Sequence, residues 1–147
     1  MAKPLHDQVI VRALAIIEDG SRWTKGNLAR LSNGVECPCF DPRAERFCAA
    51  GALYRAACEL SGANSWLLAK EAEQCVLMRN GWRHLSLPNV NDIEGHEYVV
   101  AMFRKSVGKG CDNREFSTRR RHADGAARAS RRASPHAATL TPRAGCA

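Results

Sequence analysis

In four runs between Leu5 and Val107, apolar residues return every third or fourth position, the spacing of helices with a buried stripe. In the first such run, Leu5 to Glu18, the stripe is Val9, Ala13, Ile16 and Ile17, with Ile10 and Leu14 beside it. The β-branched residues among 9–11 weaken helix propensity slightly, and burial is expected to outweigh that. Asp19-Gly20 stops the run.

The richest run is Asp41 to Leu60, DPRAERFCAAGALYRAACEL. Asp41 reads as an N-cap whose carboxylate accepts from the first unpaired N–H groups. Pro42 reads as the first helical residue, where a missing N–H costs nothing. Ala44, Phe47, Cys48, Gly51, Tyr54 and Cys58 make one face, and Ala50, Leu53, Ala57 and Leu60 make a second beside it. Two apolar faces need neighbours on two sides, so this helix is predicted to be the central one. The small residues at 49–52 allow another backbone to come close. Gly62 suits the position after the last turn.

Asn64 or Ser65 is expected to cap a third helix running to about Arg79, with Leu67, Leu68, Ala72, Cys75, Val76 and Leu77 as its apolar positions. Asn80-Gly81 closes it. Trp82 to Glu94 reads as irregular: Pro88 disfavours helix before it, and Asn89, Asn91 and Asp92 favour turns. A fourth helix is predicted from Gly95 or His96 to Val107, with Val99, Val100, Phe103 and Val107 inward and Gly108 at its end. Between the first two helices, residues 21–30 are too short for a full amphipathic helix, and Gly26 interrupts them. Asn33-Gly34 is a hairpin turn signal, and its flanks, Ala29–Leu31 and Val35–Cys39, form at most a tiny hairpin that Pro38 confines to an edge. The predicted fold class is therefore all-α: a small four-helix domain over residues 1–108, with an irregular loop or tiny hairpin between its first two helices.

Charge separates this body from the rest of the chain. The formal net charge is +7, yet residues 1–108 hold 13 Lys/Arg against 12 Asp/Glu, and residues 109–147 hold 9 against 3. Ala and Arg dominate after residue 117, and Leu140 is the only large aliphatic there, so no apolar face can offset the entropy of ordering. Residues 109–147 are expected to be a disordered, basic tail. No run approaches the roughly 18 apolar residues of a membrane span. The first residues, MAKPLHDQ, lack the apolar core of a signal peptide. Seven cysteines, an odd number, with no such leader favour free thiols in a reducing cytoplasm.

Several short motifs stand in a fixed order. They are Glu18-Asp19, Arg22-Trp23, Gly26, Ala29-Arg30, Cys48-Ala49-Ala50-Gly51-Ala52-Leu53, Asn91-Asp92, and Gly95-His96-Glu97-Tyr98-Val99. In this order the body, roughly residues 8–107, resembles a family of small bacterial and phage proteins that carry a domain of unknown function. That family often has Trp before Asn-Asp, where this chain has Val90. The resemblance implies a helical fold and brings no activity with it. The tail has no counterpart in it.

The candidate chemistry is sparse. Cys37-Pro38-Cys39 with Cys48 offers thiolates, but Cys-x-Cys with no second pair is a poor match to a structural zinc site, so no metal is expected. Cys48 as a nucleophile, with His84 or His96, would sit well inside its predicted helix, where the dipole lowers a thiol pKa little; core packing is expected instead. Asn91, Asp92 and His96 form the most polar constellation of the body, with Arg22 and Trp23 as a wall if it is a site. The reading preferred here is structural: Asn91 and Asp92 make Asx-turns ahead of the fourth helix, and His96 has no structural task. Trp23 is expected to plug the core, and Trp66 and Trp82 to be buried or half-buried. Arg119, Arg120, Arg121, Arg131 and Arg132 suit nucleic-acid phosphates by charge alone, without aromatics for base stacking.

The leading expectation is a small cytoplasmic, non-enzymatic binding or adaptor domain with a protein partner, no cofactor and no membrane. One alternative is nonspecific nucleic-acid association through the tail. Another is a small enzyme centred on Asn91, Asp92 and His96, although no Gly-rich phosphate loop, metal-ligand series or nucleophile elbow favours it.

Overall fold

A computed structural model of the chain describes residues 2–62 and 65–107. The predicted tail, with Arg119–Arg121, Arg131 and Arg132, lies outside the described residues, as do Asn64 and Gly108 as helix ends. The first helix forms where its stripe places it. α1 spans Leu5–Ile17 and buries Val9, Ile10, Ala13, Ile16 and Ile17. The chain then tightens into a 3-10 turn, Gly20–Arg22, capped by Asp19, whose carboxylate accepts from the Ser21 N–H at 2.8 Å.

The Asn33-Gly34 hairpin forms between β1, Ala29–Arg30, and β2, Glu36–Cys37. Ala29 lies opposite Cys37 and Arg30 opposite Glu36. Gly34 has φ +85°, which few L side chains adopt. A third strand that the sequence did not suggest, β3 at Arg46–Phe47, pairs antiparallel with the other side of β1. Trp23 extends the sheet through a parallel bridge to Phe47, and the Thr24 N–H donates to the Phe47 carbonyl at 3.1 Å.

That strand corrects the start of the central helix. α2 spans Ala49–Ser61, with Cys48 rather than Asp41 as its N-cap. Asp41 does cap, but it closes a local turn, accepting from the Arg43 N–H at 2.9 Å. An Asp-Pro pair opens a turn as readily as a helix. Pairing with β1 then draws residues 46–47 out into a strand. The shortened α2 is central as predicted. It packs against α1 on one side and α3, Ser65–Arg79, on another. Ala49–Leu53, Ala56 and Ala57 are all buried. Its last turn closes on Gly62, φ +67°, whose N–H reaches the Cys58 carbonyl.

Two further expectations change. Leu87–Glu94, read as irregular, is a helix, α4, with Pro88 in its first turn, where the missing N–H is no loss. α5, His96–Val107, comes at once after it, separated from α4 by Gly95 at φ +84°. On α3, Leu67 is half exposed, whereas Glu73 is buried at 3 % exposure. Glu73 is tolerated there because Lys70 Nζ pairs with it at 2.7 Å and the Leu87 N–H donates to it at 3.3 Å. Trp66, expected to be at least half-buried, is 63 % exposed. The described body is thus mostly helical, with five helices and a small three-stranded sheet.

Candidate functional site

The polar constellation of the sequence does assemble, though by other means than Asx-turns. Asn91 and Asp92 lie within α4, so they cannot cap α5. Asn91 points inward and is fully buried. Its Oδ1 accepts from Trp23 Nε1 at 2.8 Å and from the Ala49 N–H at 2.9 Å. Its Nδ2 donates to the Thr24 carbonyl at 3.2 Å and to Asp92 Oδ1 at 2.9 Å. Two acceptor positions and two donor positions are the whole capacity of the amide, and all are engaged. Ala49 is the first residue of α2, so Asn91 caps a helix that begins 42 positions before it in the chain.

Asp92 stands beside it on the exposed side of α4. Its Oδ1 also accepts from the Gly26 N–H at 3.0 Å, which ties down the far end of the 19–26 loop. His96, at the start of α5, holds the near end: Nε2 donates to the Ile17 carbonyl, 2.7 Å away, at the last turn of α1. A carbonyl only accepts, so the Nε2–H tautomer is the one this contact requires. The ring lies 5.5 Å from that of Trp23, tilted by 50°. A Cβ at Gly20 would stand 3.3 Å from the same ring. His96 therefore has a structural task, contrary to expectation.

Of the five residues singled out, Trp23, Asn91, Asp92 and His96 are joined directly. Arg22 is on the same loop but outside the network: it is exposed and makes no side-chain hydrogen bond or ion pair among the described residues. Ser21 and Lys25, on the same loop, are also exposed. Asp19 beside Arg22 is held below the usual carboxylate range, chiefly by the Ser21 N–H.

The cysteines offer little reactivity. Cys48 Sγ accepts from the Gly51 N–H at 3.3 Å, and burial pushes the thiol up to about 11 despite its place at a helix N-terminus. Burial likewise raises the Cys39 and Cys37 thiols. A thiol so shifted stays protonated and a poor nucleophile near neutrality. Cys37, Cys39, Cys48 and Cys58 are free thiols. Among the described residues no three His, Cys, Asp or Glu side chains are grouped as a metal site, and no helix is long and apolar enough to cross a membrane.

Sequence reasoning missed a second polar cluster, where Arg79 and Asp7 pair at 2.8 Å with only 6 % and 10 % of their side chains exposed. Arg79 Nη1 also donates to the Ser106 carbonyl. The cluster ties α1 to α3 and α5. Asp7, buried in the first turn of α1, was the available signal.

Comparison with known proteins agrees that the chain carries a domain of unknown function. The model of a family of unknown function (DUF6197) matches residues 1–109. No curated protein and no solved structure matches the chain.

Proposed function

We propose, since this chain belongs to the DUF6197 family of unknown function, a role that rests on its own geometry: a non-enzymatic binding domain that presents the 19–26 loop to a protein partner. One observation carries this reading. The loop is pinned from α4 and α5 at Trp23, Thr24 and Gly26, and His96 anchors the chain just ahead of it at Ile17. Its outward residues, Ser21, Arg22 and Lys25, are left exposed. The inner polar atoms serve the fold, which leaves Asn91 no bond to offer a substrate. A loop held still before contact loses little entropy on binding, and arginine is enriched among residues that dominate interfaces.

The test is a double substitution, Arg22→Glu with Lys25→Glu, in the full chain expressed in its native host. Proteins that co-purify with the wild type should be lost from the variant, with the thermal midpoint unchanged within a few degrees. An unchanged set of co-purifying proteins would overturn the reading.

The charge of residues 109–147, 9 Lys/Arg against 3 Asp/Glu, supports a second reading in which the chain also associates with nucleic acid without sequence preference.

A further inference from the structure

We draw no further inference here: the strongest candidate, the exposed apolar patch of Leu60, Trp66 and Leu67 where α2 ends and α3 begins, carries nothing because nothing in the structure shows what covers it.

Discussion

Asn91 shows how much one side chain can hold together. Replacing it with alanine removes four hydrogen bonds and leaves the Trp23 indole N–H and the Ala49 N–H without their acceptor. Buried donors left unpaired cost about 1–3 kcal/mol each, so Asn91→Ala is expected to lose about 3 kcal/mol in urea unfolding. Asp92→Ala should lose about 1–2 kcal/mol, from the exposed bond to the Gly26 N–H and the part-buried one from Asn91 Nδ2. His96→Ala should lose about 1–2 kcal/mol, from the Ile17 hydrogen bond and the ring packed on Trp23. A neutral His96→Ala would remove the ring from the structural network and return it to the candidates for ligand binding. Cys48 supplies a pH test. Its folded pKa of about 11 lies above the ordinary 9.0, so the native state holds this proton more tightly than the unfolded chain. That contribution is complete below pH 9.0 and is lost as pH rises toward about 11. Cys48→Ser should flatten the alkaline fall in stability and change stability at pH 7 by less than about 1 kcal/mol, because serine is a good N-cap. An alkaline slope equal to that of the wild type would show that Cys48 does not titrate there. These residues could be picked out from sequence as polar and clustered, but their roles could not. The partners of Asn91 lie 42 to 68 positions away, apart from its neighbour Asp92, and local spacing carries no trace of them.

At the level of elements, the locally repeating patterns were legible. The stripes of α1 and α5 and the Asn33-Gly34 hairpin all depend on neighbours a few positions apart. α4 and the start of α2 were not legible, because both are decided from outside. α4 has only 8 residues, too few to hold as an isolated helix, and the Glu73 carboxylate on α3 receives its first N–H. α2 begins at 49 because β1 claims residues 46–47 and Asn91 accepts from the Ala49 N–H. The small residues at 49–52 were read correctly as a place of close approach. A Cβ on Gly51 would stand 1.9 Å from the Leu28 carbonyl oxygen, the same oxygen that accepts from the Cys48 N–H at 3.1 Å. Helix propensity alone favours Gly51→Ala by about 1 kcal/mol. Overpacking against backbone, with the rupture of that bond, should reverse the sign and leave a net loss of about 2 kcal/mol, read from the denaturant midpoint. A stabilised Gly51→Ala variant would mean that the Leu28 segment moves aside freely.

For the whole molecule, the nearly neutral body and the basic residues after it make separate predictions. If nucleic acid binds through residues 109–147, changing Arg119, Arg120 and Arg121 to Gln should weaken binding to all duplex sequences alike. It should also reduce the slope of log affinity against log salt by about 2–3, close to one unit for each phosphate no longer neutralised. Sequence-selective binding by residues 1–108 alone would contradict it. The caps that one helix supplies to another have a further consequence, in time rather than in energy. The end of α1 meets α5 across 79 positions at Ile17 and His96, and across 86 at Glu18 and Arg104. A ribosome adds residues from the N-terminus at about 5–20 per second, so the end of α1 waits about 4–17 s for the chain that completes it. Until His96 emerges, the side of α1 that packs on α5 stays open, and a chaperone that shields such a stripe has its longest opportunity then.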